Sequence, residues 1–483
     1  MNKNSILVLM TLLIFPVLLM SIDYELNHYK APDHHEFGWS LYLTNSGYLN
    51  RINGTNGRQI SGSISSSLLE EVFTRDHYLY LKNYCRFSRY LSEKTKDDST
   101  ELVYKRLSGY PKVDLDIIYR KYLLNDWFLG SSVSGQYARD YNKEDTDKIT
   151  SDAATERIGT DYGLTFELGS GYGRIEDITE VRQALYILED LEKAGLLKRV
   201  ADADDVTRLA DLLVSLKHLR LFDIRLQQQE IIRQLVNHLK GSALIDDTEL
   251  ENLLIIDDLY DYGASYERRS GWVIMPVMRL SYLQNEYFVE STDNKSDPDE
   301  NDFYSKGNRE ESTCRYGIAL KSDYLHNYGK NWQLEATSDL GYFLRDWEYK
   351  IDYYWQTSSS ADTTNSRRED DYNEIALNLD LKLNWYIDTR TRLGAEAAYS
   401  FYQTTDADSL EYPPLGYEYR GEEQIFNLSL FADYYISPRF LLYFSISAEN
   451  KKIRDHRYGS LGEYVKPDSF DLEYNLKFSY DLF

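Results

Sequence analysis

The residues in this sequence that could take part in chemistry are charged side chains at every second position of otherwise apolar segments. They carry both signs, as carboxylates, amines and guanidinium groups. Such side chains either line a path for polar solutes or pair with one another in salt bridges. The twelve that the alternation assigns to one common face are Asp114, Asp116, Arg120, Glu167, Arg315, Lys321, Glu335, Asp339, Asp380, Lys382, Glu396 and Asp433.

Enzymatic catalysis has little support in the sequence. A hydrolase would need a histidine placed together with a serine or an aspartate. His456, with Asp455 beside it, is the best-placed candidate, but a single loop histidine is far more often plain surface. We therefore expect no catalytic residue and a protein that is not an enzyme.

Metal and cofactor sites are equally weakly indicated. The adjacent His34 and His35 are at best a weak metal candidate, and the acidic stretch at 297–302 either collects Ca²⁺ or is simply solvated. Cys85 and Cys314 are too few and too far apart for a disulfide scaffold or a metal site, so we expect two unpaired side chains on strands. The sequence predicts no metal and no cofactor.

Charge and the leader define the compartment. The formal net charge is −25, which argues against nucleic acid as a partner because phosphates need a basic surface. Lys3 followed by an apolar run over 6–20 is typical of a secretory signal peptide at 1–21, cleaved near Ser21. An uncleaved anchor is the alternative.

The elements that would position the charged side chains are β-strands, and the last segment shows this most clearly. Its apolar residues recur with a period of two, which predicts a strand with two different faces. They are Phe470, Leu472, Tyr474, Leu476, Phe478, Tyr480 and Leu482. Such a strand followed by an aromatic terminus, Phe483, resembles the closing strand of bacterial outer-membrane β-barrels, where this segment is the insertion signal. In that family the terminal Phe usually lies on the apolar face, whereas Phe483 is one position out of phase.

The same alternation recurs along the chain and predicts a transmembrane antiparallel barrel of about fourteen strands. In the strand at 331–357 the apolar residues move from even to odd positions near Arg345, which predicts a β-bulge, with a tight hairpin as the alternative. The predicted strands are 36–49, 57–73, 77–91, 111–124, 126–141, 157–173, 271–289, 312–326, 331–357, 371–387, 391–404, 424–437, 439–452 and the closing strand.

Helical spacing replaces the alternation between 174 and 258. One apolar stripe consists of Ile178, Val181, Leu185, Leu188 and Leu191. Asp177 and Glu180 resemble a capping box before it, and Gly195 ends it. The stretch 205–240 is one long helix or two, and a short helix follows. The predicted organisation is a signal peptide at 1–21, a first half-barrel at 22–173, a helical periplasmic insertion at 174–260 and a second half-barrel at 261–483.

Loop lengths and tryptophans predict the orientation. The connections alternate between long and short at 454–468, 437–439, 403–423, 388–390, 357–371, 326–330 and 291–311. This resembles the tight periplasmic turns and longer outer loops of outer-membrane barrels. An even strand number then leaves both termini in the periplasm. An aromatic girdle at the periplasmic interface would consist of Trp39, Trp127, Trp272, Trp332 and Trp385.

The resemblance implies a Gram-negative outer-membrane protein surrounded by lipid and lipopolysaccharide and inserted by the barrel assembly machinery. A polar lumen favours a porin-like channel or export conduit for polar solutes, with the helices docking a periplasmic protein partner or gating the pore. The alternatives are a non-conducting structural, assembly or surface-binding barrel and, less favoured, a hydrolase. The helices either plug the lumen or hang below it. We favour a bundle below the barrel, because its apolar stripes would be poorly matched by a polar lumen.

Orientation is tested by epitope tags on intact cells. Tags at 295–305 or 408–416 should be accessible, since these positions belong to predicted outer connections. Tags at 438 or 388 should be accessible only after the outer membrane is permeabilised. The reverse pattern, measured by whole-cell antibody binding, would refute the predicted topology.

Overall fold

The computed structural model describes residues 26, 29–30, 32–52, 55–96, 102–124, 126–148, 151–217, 224–246, 250–295, 302–357, 360–405, 421–437, 440–455, 464–465 and 469–480. The predicted leader at 1–21, most of the acidic stretch at 297–302, the candidate base His456 and the terminal Phe483 lie outside these residues.

The described strands form one antiparallel sheet in which each strand pairs with the next along the chain. β13 pairs with the two-residue β14 at one end and with β15 along the rest, so β14 and β15 share one position. Fifteen strands thus occupy fourteen positions, with β1 and β15 at the two edges. The predicted antiparallel all-β architecture is confirmed. The strands are β1 His34–Ile52, β2 Thr55–Phe73, β3 His77–Lys96, β4 Leu102–Leu124, β5 Trp127–Lys148, β6 Ser151–Asp177, β7 Arg269–Lys295, β8 Phe303–Tyr328, β9 Trp332–Thr357, β10 Ala361–Tyr386, β11 Thr391–Thr405, β12 Gly421–Ser437, β13 Phe440–Asp455, β14 Tyr464–Val465 and β15 Ser469–Tyr480.

The two faces of the sheet differ in composition and in exposure. One face, the apolar face, presents large side chains such as Ile318 and Met278, which are 64% and 62% exposed. The other, the polar face, carries charged groups that bond across two strands. Lys321 Nζ on β8 lies 2.9 Å from Glu167 Oε2 on β6, across the intervening β7, and residues from β3 to β8 line a single cavity on this face. The polar face is therefore concave.

The strand β9 is continuous, and the predicted bulge near Arg345 is wrong. β9 pairs with β8 and with β10 over Trp332–Thr357 without a register shift, which also excludes the alternative hairpin. Because the period of two is unbroken, Trp347 and Tyr349 lie on the polar face, where they are buried with Tyr372. The apolar residues change face along β9 because aromatic side chains pack on the concave side there.

Strands extend well beyond their apolar alternation. The predicted long loop at 291–311 is mostly strand, since β7 continues to Lys295 and β8 begins at Phe303. The predicted loop at 357–371 shrinks to a connection at 358–360. These predictions were wrong because backbone pairing continues where both faces are polar, supported by charged cross-strand pairs rather than by apolar alternation. The predicted loop at 403–423 lies mostly outside the described residues.

The helical insertion leaves and re-enters the sheet at one point. Asp177, the last residue of β6, is paired with Arg269, the first residue of β7. Gly173 and Gly271 lie just inside this point with φ of +105° and +124°. A Cβ at either position would lie 2.1 Å from a carbonyl oxygen of the partner strand. Only glycine fits both requirements.

Four described helices follow, and their caps differ in part from the prediction. They are α1 Thr179–Lys193, α2 Ala203–Lys217, α3 Ile224–Gly241 and α4 Leu250–Gly263. Ile178 caps α1 without a side-chain hydrogen bond, so the predicted capping box is wrong. The reason is that Asp177 is held in β6 and accepts only the Thr179 N–H, at 2.8 Å. The predicted stop is confirmed, since Gly195 has a φ of +72°.

None of the helices in the described part of the chain has the length and apolar character needed to cross a membrane.

The helices pack into a bundle whose core also contains residues from the segment before β1. The predicted stripe of α1, from Ile178 to Leu191, is buried in its core. Leu26 and Tyr29 are buried in the same core, and the Tyr29 hydroxyl donates to Asp211 Oδ1 at 3.1 Å. This second contribution was not predicted, because two residues are too few to show a period.

A reciprocal cap holds the start of α2. The backbone N–H of Asp205 donates to Asp202 Oδ1 at 2.9 Å, and the N–H of Asp202 donates to Asp205 Oδ2 at 3.1 Å. Arg199 donates to both Asp205 oxygens, at 2.6 and 2.9 Å. This hydrogen bonding by Arg199 lowers the pKa of Asp205 from 3.8 to about 2.

We expect Asp205→Asn to destabilise the bundle by about 2 kcal/mol at neutral pH. A lowered carboxyl pKa contributes stability above the unfolded value near 3.8, and that stability is lost as pH falls toward 2. Thermal loss of helical circular dichroism at 222 nm, followed between pH 7 and pH 2, measures this. Asp204→Asn, one residue away, is the control. An equal effect of both variants would contradict the assigned cap.

Candidate functional site

All twelve predicted charged residues lie on the polar face. Directly opposed residues of paired strands share a face, so the pairing registers show which residues lie together. The twelve lie on the same face as Ser134, Thr165, Arg279 and Asn378. The structure brings some of them together and leaves others apart. Asp433 binds Arg392 Nε at 2.7 Å, and Glu335 accepts from Asn384 at 2.8 Å.

Three of the twelve, Glu167, Lys321 and Asp339, form a cluster with an arginine that is not among the predicted residues. Arg279 Nε lies 2.7 Å from Glu167, and its Nη2 lies 2.5 Å from Asp339. Glu167 also binds Lys321 at 2.9 Å and the Ser132 hydroxyl at 2.8 Å. The signal for Arg279 was present, since it stands between two apolar positions of β7.

A second cluster lies beside the first. Arg315 binds Glu374 at 2.6 Å, and Arg345 approaches the other oxygen of Glu374 at 3.6 Å. We call the two clusters together the charge belt, which spans β6 to β10. Its members are Glu167, Arg279, Arg315, Lys321, Asp339, Arg345 and Glu374. The belt neutralises most of its own charge and occupies one side of the concave face.

A phenylalanine lies flat under the charge belt. The Phe343 ring is fully buried between the guanidinium groups of Arg315, at 3.6 Å from the ring centroid, and Arg279, at 5.4 Å. Gly317 and Gly341 leave the space for it, because a Cβ at Gly341 would lie 2.2 Å from the ring. The same arrangement of an aromatic ring over a glycine recurs with Phe431 and Gly394. Glycine on the polar face thus marks an aromatic ring seated across the strand.

Cavities lie in a row along β4, and the one at Arg120 is also lined by Glu167 and Lys321 of the charge belt. The first, of about 1020 Å³, lies at the end of the sheet that carries the turns before β3, β5, β9 and β11, which we call the tight-turn end. It is lined by Tyr122 from the polar face and by Trp272 from the apolar face, and we call it the mouth cavity. Three more follow, with volumes of about 450, 540 and 220 Å³, at Arg120, Asp114 and Tyr110. The first two of these share Asp116. We call these three together the groove, and it is lined largely by small polar and charged side chains.

The helical bundle is attached to the tight-turn end of the sheet. The segment 264–268, which we call the strap, crosses from α4 to β7. Tyr266 in the strap donates its hydroxyl to the Arg390 carbonyl at 2.8 Å and packs against Tyr386 and Tyr435. The strap therefore contacts β10, the turn before β11, and β12 before the chain enters β7.

Buried arginines fix the strap and α1 to the same end. Arg268 is fully buried and donates to Asn327 Oδ1 at 2.6 and 3.0 Å and to the Lys330 carbonyl at 3.0 Å. Its guanidinium group stacks on Tyr386, at 4.1 Å. Arg182 of α1, also fully buried, approaches the same ring at 5.0 Å.

Two ion pairs border this contact. Lys330, in the turn between β8 and β9, binds Glu189 of α1. Arg390, in the turn before β11, binds Asp258 of α4 and stacks on Tyr262 at 3.8 Å. The bundle is thus held over the β8 to β12 side of the tight-turn end, while the mouth cavity lies on the β2 to β7 side. No short motif in the sequence signalled these contacts, which join residues far apart in the chain.

The five predicted interface tryptophans all lie on the apolar face. Trp332 and Trp385 stack across β9 and β10 with centroids 5.4 Å apart. Trp127 and Trp272 both contact Tyr172, at 5.3 and 5.4 Å. These four stand within three residues of the tight-turn end of their strands. Trp39 is 66% exposed, and its indole N–H donates to Ser66 at 2.9 Å.

The weaker candidates for chemistry remain scattered. His35 pairs with Glu70 at 3.1 Å, and Cys85 and Cys314 are free on β3 and β8. Within the described ranges, no group of three or more His, Cys, Asp or Glu side chains is arranged to hold a metal ion. The arrangement can bind, guide or exclude polar solutes.

Known structures with a related shape are outer-membrane β-barrel proteins. The Pseudomonas putida toluene transporter TodX has a TM-score of 0.30 and 9% identity over 89% of this chain and 86% of TodX. The ferric yersiniabactin uptake receptor FyuA of Yersinia pestis has a TM-score of 0.36 and 8% identity over 94% and 59%. The translocator domain of autotransporter NalP of Neisseria meningitidis has a TM-score of 0.24 and 8% identity over 77% and 82%. No family model and no curated protein matches the chain. Similarity at this level assigns no family and no function.

We expect Gly341→Ala to destabilise the sheet by about 1–3 kcal/mol, because the buried Phe343 ring has no space to move away from the added methyl group. Gly135→Ala is the matched control, since a Cβ there would meet only the Gly163 carbonyl oxygen, at 3.8 Å. Denaturant unfolding of the detergent-solubilised protein, followed by tryptophan fluorescence, measures both. Equal unfolding midpoints for the two variants would contradict the proposed ring seat.

Proposed function

We propose that this chain is an outer-membrane barrel that conducts polar solutes along the groove and is partly capped at its periplasmic mouth by the helical bundle. The observation that carries the proposal is the row of cavities along β4 on a concave, polar face. In a closed barrel this face is the lumen. β1 and β15 then pair with each other to close the sheet, since they are its two edges.

The apolar face supports a membrane location. Its large side chains are exposed on successive strands, including Leu164, Met278, Ile318 and Leu430. Exposing such side chains to water is unfavourable, whereas contact with lipid is favourable. The tryptophans near the tight turns match an interfacial girdle. In this orientation the tight turns, the bundle and both termini are periplasmic, and the long strand ends project outward.

The bundle suits a cap for one side of the mouth. Its contacts through Arg268, Lys330 and Arg390 hold it over β8 to β12, and the mouth cavity beside it stays lined by charged residues such as Arg75 and Asp76. A periplasmic protein partner that binds the bundle would reach the mouth directly. We propose no enzymatic activity, since the charged groups of the polar face are paired for structure or line the groove.

The second candidate is a non-conducting barrel with a structural or surface-binding role. The charge belt and the buried Phe343 favour it, because they fill one side of the concave face with paired charges and an aromatic ring. The groove along β4 distinguishes the two candidates. A conducting protein must pass ions through it.

Replacing 178–268 with a short Gly-Ser turn between Asp177 and Arg269 should leave the barrel folded, because these two residues are already paired. Conductance in planar bilayers should rise at least about twofold, since the cap and the strap are removed. Heat-modifiable migration on gels serves as the folding control. A folded deletion variant without channel steps would contradict the channel and favour the non-conducting barrel.

A further inference from the structure

Six side chains separate the mouth cavity from the groove. They come from β2, β3, β4, β5 and β6 and meet on the polar face close to the tight-turn end. We call them the collar. Its members are Phe73, Tyr78, Arg120, Tyr122, Phe128 and Arg174.

The collar is a closed circuit of contacts in which two aromatic rings lie between one arginine and the other on each side. Arg174 lies over Phe73 at 4.6 Å and over Tyr122 at 4.7 Å from the ring centroids. Arg120 lies over Tyr78 at 5.6 Å and over Phe128 at 5.4 Å. All four are within the range of cation–π attraction.

Ring-to-ring contacts complete the circuit. Phe73 and Tyr78 meet edge to face with centroids 6.3 Å apart, and Tyr122 and Phe128 are 5.5 Å apart. Tyr122 and Arg174 line the mouth cavity, whereas Arg120 lines the adjacent cavity of the groove. The collar therefore lies between these two cavities.

The two collar arginines are in different electrostatic situations. Arg174 Nε lies 2.9 Å from Glu176 and therefore has a carboxylate partner. Among the described residues no carboxylate forms an ion pair with Arg120, whose guanidinium group is surrounded by the Tyr78 and Phe128 rings and the Tyr122 hydroxyl. Arg120 is thus held mainly by aromatic rings, in a place where its charge acts on whatever enters the groove.

We propose that the collar is the constriction of the solute path and that Arg120 makes it selective for anionic solutes. This rests on the proposed channel function. A carboxylate, phosphate or sulfate group can replace the ring faces around the Arg120 guanidinium with stronger charge-assisted hydrogen bonds. A cation meets the same group as a barrier. Low-dielectric aromatic walls focus the field of Arg120 into the path.

The test is the reversal potential of the full-length protein in a planar bilayer under a KCl gradient. The wild type should prefer Cl⁻ over K⁺. Arg120→Gln should lower that preference about fivefold, the factor that a unit charge at about 4 Å supplies in water. Arg120→Lys keeps the charge and should therefore keep the preference for Cl⁻. Because lysine cannot stack on the rings as the planar guanidinium group does, this variant should also raise conductance.

Arg309→Gln is the matched control. Arg309 is also stacked on a polar-face ring, Tyr349, at 5.1 Å, but it lies outside the groove. The Arg309→Gln variant should therefore have the same reversal potential as the wild type. Channels with the same reversal potential in wild type and Arg120→Gln would overturn the collar proposal and leave the channel intact. No conductance in any folded variant, the bundle deletion included, would overturn both proposals.

Discussion

The period of two along each strand is the constraint on which the rest of the structure depends. Successive side chains point to opposite faces, so each pairing register fixes the environment of an entire strand. The register of β9 against β8 and β10 runs without a shift over Trp332–Thr357. One slipped residue in β9 would move Asp339 and Arg345 to the apolar face and place Leu340 and Tyr342 on the polar face. The β9 part of the charge belt and the position of Phe343 follow from keeping this register.

The sequence predicted the strands wherever their two faces differ in polarity. The apolar alternation of 371–387, for example, corresponds to the half of β10 that carries Ile375 to Trp385, whereas the half from Ala361 onward has two polar faces and gave no signal. The switch of apolar residues in β9 was misread for the same reason. Alternation reports a contrast between environments, and backbone pairing continues when the contrast reverses or disappears.

The candidate site was predictable by residue type and face but not by partner. Charged residues at alternate positions were identified, yet their assembly into the charge belt depends on curvature, which brings β6 and β8 or β7 and β9 together. The collar and the strap depend on contacts between residues that are far apart in sequence. Arg268 and Arg269 are adjacent in the sequence, and only the packing of Arg268 against Asn327 and Tyr386 distinguishes the two. Burial without a carboxylate partner in direct contact is costly, so this contact requires its hydrogen bonds to be complete.

The packing of Leu26 and Tyr29 in the bundle core has a consequence for the order in which the chain folds. The hydrogen bond from Tyr29 to Asp211 joins residues separated by 182 positions, and β1 to β6 lie entirely within the loop that it closes. Closing a loop of this length costs conformational entropy that only the finished bundle core offsets. The first six strands are thus tied at both ends to one small helical unit, since β6 leads into the bundle at Asp177 and the segment before β1 is buried in its core.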